Sequence, residues 1–105
     1  MQTTTVAPPI DLLKALADPV RLDICRSLAN EELCVCHLTE DLGISQPLLS
    51  HHLKILREAG LVETRKYSYW SYYRLRGEAL QEIADQFAHL GRSASLVVSA
   101  RPCPV

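Results

Sequence analysis

A mainly α fold carrying a β-hairpin wing, a winged helix-turn-helix with a helical dimer interface, is what three features of this 105-residue sequence predict. Apolar residues recur at helical spacing in five segments separated by cap and stop signals. After Gly60 the period changes, and Leu61–Arg65 and Trp70–Leu75 are rich in strand formers with a short polar-aromatic connection. Basic residues gather around that change of period. One domain is expected over residues 9–92, between flexible tails at residues 1–8 and 93–105. At this size the core is marginal, and an oligomer interface would help it.

The helices follow in order. Ile10, Leu13, Leu16 and Ala17 give the first, which Asp18-Pro19 interrupts. Asp18 is placed to cap a second helix with Pro19 at its first position, running through Val20, Ile24 and Leu28 to about Ala29. Asn30-Glu31-Glu32 forms a turn. A short third helix carries Leu38 and Leu42 and stops at Gly43, a residue suited to the left-handed C-terminal position. Ser45 caps a fourth, whose buried side is Leu49, Leu53 and Leu56. Gly77 ends the hairpin, and Leu80, Ile83, Ala84, Phe87 and Leu90 outline the last helix. Leu13 and Leu16 together with Leu80, Ile83, Phe87 and Leu90 exceed what a small helical core buries, so the first and last helices are expected to pair two copies.

The net charge of −1 hides an asymmetry. Residues 1–50 carry −4, residues 51–76 carry +4 (Lys54, Arg57, Arg65, Lys66, Arg74 and Arg76 against Glu58 and Glu63), and the remainder −1. A basic centre on a nearly neutral chain is the footprint of a phosphate-binding face. Ser45, Gln46 and Pro47 open the fourth helix, where backbone N–H groups and the helix dipole meet a phosphate. Gln46, Ser50, His51 and Lys54 lie off its apolar side, free to reach base edges or phosphates in a major groove, while His52 is expected against a neighbouring helix. Arg65 and Lys66 at the hairpin turn are candidates for phosphate or minor-groove contact. Trp70, Tyr72 and Tyr73 are expected to pack the wing on the core. The partner expected is therefore double-stranded DNA.

Catalysis finds no support. There is neither a glycine-rich phosphate loop nor a positioned nucleophile and base, and the four histidines are scattered. No apolar run is long enough for a membrane span, and the N-terminus lacks a secretory pattern, so a cytoplasmic protein is expected. In that compartment Cys25, Cys34, Cys36 and Cys103 serve as thiols or soft-metal ligands rather than as disulfides.

Cys34 and Cys36 flank one valine in Glu32-Leu33-Cys34-Val35-Cys36-His37-Leu38. On a regular helix residues two apart point about 200° from each other, so the two grip one ion only if the helix start is extended or frays. With bonds near ~2.3 Å, a soft ion needs its sulfurs within roughly 4 Å, and binding should distort that helix start.

The stretches LADPVRLDICRSL, ELCVCHLTEDLGISQPLLSHHLKILREAGLVETRK and YWSYYRL together resemble the arsenic-repressor (ArsR/SmtB) family of dimeric bacterial transcription regulators, over roughly residues 10–90. The resemblance implies a homodimer on a pseudopalindromic operator, released when trivalent arsenic, as arsenite or methylarsenite, or a related soft metal such as cadmium or lead binds Cys34 and Cys36. The chain departs from its patterns. Thr39 stands where the commonest arsenite version has a third cysteine, residues 1–24 hold no cysteine for a cadmium/lead arm, and Asp85 and His89 lack the partners of a zinc site on the last helix. Inorganic arsenite then requires a third thiolate, for which Cys103 in the C-terminal tail is the candidate and Cys25 is read as packing, whereas methylarsenite is satisfied by two. A thiol redox sensor and, from another class, a soft-metal carrier fit the same cysteines.

Overall fold

The computed structural model describes residues 9–104. Its elements, in order, are α1 (Pro9–Leu16), α2 (Pro19–Ser27), β1 (Leu33–Cys34), α3 (Val35–Leu42), α4 (Gln46–Glu58), β2 (Val62–Tyr67), β3 (Trp70–Leu75) and α5 (Gly77–Ser95). The expected tail at residues 1–8 lies outside the described residues.

Local chemistry sets most boundaries. Asp18 is extended, and its carboxylate accepts from the Val20 and Arg21 amides at 2.9 and 3.1 Å, so that α2 starts on Pro19. Those amides, Arg21's foremost, hold the Asp18 carboxyl below its ordinary value. Gly43 closes α3 at φ 65°, and Ser45 Oγ accepts the Leu48 amide at 3.3 Å to open α4. The interval between α3 and α4 is thus the tight turn of a helix-turn-helix.

The core joins all five helices to the base of the hairpin. Leu12, Ile24, Leu38, Leu49, Leu56, Leu61 and Val62 are its largest fully buried side chains, with Ala79 and Ile83 contributed by α5. Two expectations about α1 and α5 are corrected here. α1 buries Leu12 and Ala15 rather than Ile10, which is exposed, and Ile83 belongs to the chain's own core. Phe87 and Leu90 stay 51% and 61% exposed, and α5 runs past the expected boundary to Ser95.

The wing differs in two ways from its expected form. It gains a third strand, because Leu33 and Cys34 pair antiparallel with Tyr73 and Tyr72, giving the order β1-β3-β2. The hairpin is also longer and tighter: Tyr67 pairs Trp70, leaving Ser68-Tyr69 as a two-residue turn with Ser68 at φ 57°. Arg65 and Lys66 therefore lie within β2 and not at the turn. Tyr73 does pack on the core and Tyr72 is half-buried, but Trp70 is 57% exposed, because pairing with Tyr67 holds it at the tip beyond the reach of the core.

Candidate nucleic-acid interface and thiol site

α4 presents two chemically distinct sides. Leu49, His52, Leu53 and Leu56 are buried, while Ser45, Gln46, Pro47, Ser50, His51 and Lys54 are exposed on the far side. Every residue expected to meet DNA from this helix is thus accessible. Leu48, not singled out from the sequence, is also exposed in the first turn, where an aliphatic group suits a thymine methyl. Its signal in the sequence was its place one residue off the Leu49/Leu53/Leu56 stripe.

His52 anchors α4 from behind. Its Nδ1 lies 3.2 Å from Arg21 Nη1 and 3.9 Å from Asp18 Oδ2, and Arg21 Nε donates to the Ala15 carbonyl at 2.6 Å. The recognition side is thereby tied to the junction of α1 and α2.

The basic centre is partly neutralised. Arg65 pairs with Glu32 at 3.7 Å and with the Tyr67 hydroxyl; the Tyr67 bond and Glu32 both raise its pKa. Arg74 is bound by Glu63 and lies 4.0 Å from Glu32, and Arg76 pairs with Glu78 at 2.8 Å. Among the described residues no carboxylate pairs with Lys54, Arg57 or Lys66. Those three are the charges left for phosphate. Strand alternation puts Lys66 on the opposite face from Arg65.

The cysteines occupy four different environments. Cys34 is the extended N-cap of α3, 8% exposed, and it pairs with Tyr72, which on its other side pairs with Arg65. Thiol, tyrosine and wing arginine thus form one row across three strands. Cys36 is exposed on the first turn of α3. Cys25 is buried among Ile24 and Leu28, and burial pushes its thiol up to about 11, as its reading as packing requires. Cys103 is exposed beyond α5. Thr39 Oγ1 donates to the Val35 and Cys36 carbonyls at 3.1 and 3.0 Å, so its hydroxyl serves the helix backbone.

Among the described residues no three His, Cys, Asp or Glu side chains stand together as a metal-binding group, and Cys103 is not brought to Cys34 and Cys36. What does converge is a pair missed in the sequence: Cys34 Sγ lies 3.2 Å from His37 Nδ1, which also accepts the Cys34 amide at 3.2 Å. A thiol and an imidazole so placed, with a second thiol one residue before the histidine, are donors suited to a soft or borderline ion. No helix of the described residues is long and apolar enough to cross a membrane.

Comparison with known proteins agrees with this architecture. The family described as bacterial regulatory protein, arsR family, matches residues 18–64, from the α2 cap to the middle of β2. A solved ArsR-like transcriptional regulator from Rhodococcus sp. RHA1 superposes with a TM-score of 0.75 at 26% identity, over 83% of this chain and 82% of that one. The arsenical resistance operon repressor of Escherichia coli K12 is 52% identical over 68 residues, 64% of this chain, which spans only 58% of that protein's length. An HTH-type transcriptional regulator of Methanocaldococcus jannaschii, MJ1325, is 42% identical over 70% of this chain and 83% of its own. With the helix-turn-helix, the wing and these relatives in agreement, the chain belongs to the arsR family of bacterial regulatory proteins and is a DNA-binding transcription regulator, not an enzyme.

Proposed function

We propose that the protein is a homodimeric repressor whose operator complex dissociates when a trivalent arsenical binds Cys34 and Cys36. The observation that carries this reading is the row Cys34-Tyr72-Arg65, which joins the first thiol to the wing through β-sheet pairing. The exposed Phe87 and Leu90 of α5 supply the apolar surface for dimerisation, and two copies of α4 then read two half-sites of an operator. Ser45, Gln46, Pro47, Ser50, His51 and Lys54 meet the major groove, and Lys66, with Arg65, meets the backbone.

The chemistry is exchange at arsenic. Each As–OH replaced by As–S sends the thiol proton off with the hydroxide as water. Methylarsenite has two hydroxyls and is satisfied by Cys34 and Cys36. Arsenite has three and takes Cys103 as its third thiol; the segment that carries it beyond the end of α5 at Ser95 spans on the order of 27 Å when extended. Cadmium or lead is held by the same sulfurs. Gripping one atom brings both sulfurs within roughly 4 Å, which distorts the first turn of α3 and loosens β1 from β3. The wing and the turn leading to α4 then lose their DNA-bound geometry. Release requires only that the ligand bind the free conformation better than the DNA-bound one, a coupling typically near 1–3 kcal/mol.

The test is a titration of the reduced protein on its own promoter under strict reducing conditions. Wild type should leave DNA as arsenite or methylarsenite is added, and the Cys34→Ser/Cys36→Ser protein should bind DNA as before yet stay bound. Release of that double variant would move sensing elsewhere. Release by oxidant alone, with arsenite inert, would favour a redox sensor.

A further inference from the structure

Aromatic residues are concentrated in one part of the chain. All four tyrosines and the single tryptophan fall within residues 67–73, on the two strands and the turn of the wing. Most of the tyrosines are engaged. Tyr73 packs on the core, Tyr67 and Tyr72 meet edge to face at 5.3 Å, and the Arg65 guanidinium lies over the Tyr67 ring and donates to its hydroxyl. Tyr69 differs. It is 94% exposed at the turn, and among the described residues no hydrogen bond or ring contact occupies its phenol. Ser68 before it holds φ 57°, a conformation that glycine adopts at no cost; serine leaves the turn fewer alternatives than glycine would, and so fixes where Tyr69 is presented.

We infer that Tyr69 reads the minor groove beside the half-site that α4 occupies, its hydroxyl donating to the acceptors that A·T pairs present there. This rests on the reading that places α4 in a major groove. β2 leaves the C-terminal end of α4 after Ala59, Gly60 and Leu61 and runs for six residues, roughly 20 Å of extended chain. A half turn of duplex, roughly 17 Å, separates a major groove from the adjoining minor one, so the tip has the reach. Width then decides what enters. Paired strands stand roughly 4.8 Å apart before side chains are counted, and the minor groove is roughly 6 Å wide and 7.5 Å deep. Tyr67 opposite Trp70 is too broad a pair for that slot and stops at its lips, whereas one flat phenol at the turn slides in edge first. Lys66, which no carboxylate pairs among the described residues, holds the tip against the flanking phosphates.

A phenol suits A·T for two reasons. A·T and T·A pairs both show only acceptors in this groove, adenine N3 and thymine O2, and a tyrosine O–H is a donor. G·C adds the guanine amino group. The hydroxyl oxygen could accept from that group, but the amino nitrogen stands out from the floor where the ring must lie. The apolar ring itself rests along the sugar walls while its polar tip meets the bases. Tyr69 thus adds a requirement for A·T, indifferent to which strand carries the adenine, outside the base pairs that α4 reads.

The test uses the full-length reduced protein on duplexes from its own promoter, in which the base pairs about four to six positions from the centre of each half-site are set in turn, symmetrically, to A·T, inosine·cytosine or G·C. Inosine·cytosine alters the major-groove face but, lacking the amino group, keeps the acceptor-only minor groove of A·T. At one of these positions wild type should bind the A·T and inosine duplexes alike and the G·C duplex at least roughly tenfold more weakly, within the range that mismatched pairs cost. Tyr69→Phe, which removes one oxygen from an exposed turn, should lose at least roughly fivefold on the A·T and inosine duplexes and little on G·C. Its salt dependence should equal that of wild type, because no charge is removed. Equal binding of all three duplexes by wild type, an inosine pair as costly as a guanine pair, or a Tyr69→Phe protein that keeps the full preference would each overturn the inference. Gln46→Ala separates it from the placement of α4, since that variant should weaken all three duplexes by one factor and keep their ranking. Unchanged operator affinity in Gln46→Ala, with the preference that depends on Tyr69 intact, would fault the α4 reading alone.

Discussion

Lys66 and Arg65 are adjacent in the sequence and equal in charge, yet they should contribute unequally to DNA binding. Arg65 is held by Glu32 at 3.7 Å and by the Tyr67 hydroxyl, whereas among the described residues no carboxylate pairs with Lys66 on the other face of β2. The salt dependence of binding counts the phosphates that displace counterions, with a slope of about 0.9 per contact. In a dimer, Lys66→Ala removes two contacts and flattens the slope of log K against log salt by about 1.8. Between 50 and 200 mM salt, the variant should then lose roughly 12-fold less affinity than wild type, on operator and random DNA alike. Arg65→Ala should flatten it by less than half as much, because the Glu32 carboxylate already occupies the guanidinium. Fluorescence anisotropy on labelled duplexes at several salt concentrations measures both. A Lys66→Ala slope equal to wild type, or an Arg65→Ala slope as flat as that of Lys66→Ala, would refute the assignment.

The same geometry sets the remaining expected outcomes. Gln46→Ala or Ser50→Ala should weaken operator binding by roughly 1–3 kcal/mol while sparing random DNA; equal losses on both would remove these residues from base reading. In native reduced protein at pH 8, exposed Cys36 and Cys103 should be alkylated first, Cys34 later, and Cys25 only on unfolding, as mass mapping of the labelled peptides can establish. Because the Cys25 thiol is raised from 9.0 to about 11, the unfolded chain releases its proton first, so stability should decline as pH rises from 9 through 11, and Cys25→Val should lessen that decline in alkaline denaturation curves. Deleting residues 93–105 should weaken release by arsenite far more than release by methylarsenite; identical dose responses would leave a two-thiol site or Cys25 as the better account.

Much of the helix-turn-helix was legible because its signals are local. Asp18-Pro19, Gly43 and Ser45 each act within four residues of themselves, and each sits where its chemistry demands. The parts that escaped depend on distant partners. A two-residue strand has no period to detect, and Leu33-Cys34 becomes β1 only by pairing with Tyr73 and Tyr72 some forty positions on. Counting charges located the basic centre but not its neutralisation, since the partner of Arg65 is Glu32, in a turn that reads only as polar. Ser68 at positive φ carries no glycine or asparagine signal, so nothing in the sequence marks a turn two residues beyond Lys66 or a Trp70 held at its tip, away from the core. His37 did have a local signal, the third position after an N-cap, where glutamate or glutamine would complete a capping box.

The exposed tip of the wing equips the protein with an optical label of its own. Trp70 is the single tryptophan of the chain, and it stands at the first position of β3, beside the turn expected to approach the DNA backbone. Its emission therefore reports from one place on the chain, with no dye attached and no residue replaced. Two residues further along the same strand, Tyr72 is paired to Cys34. A single steady-state intensity trace would follow both events of the proposed mechanism: docking of the wing onto the duplex as the indole leaves bulk water, and the slackening of β1 against β3 that ligand binding by the sulfurs would bring. Rapid mixing would put the two in order in time, and so tell whether the wing lifts before the operator is lost or only afterwards.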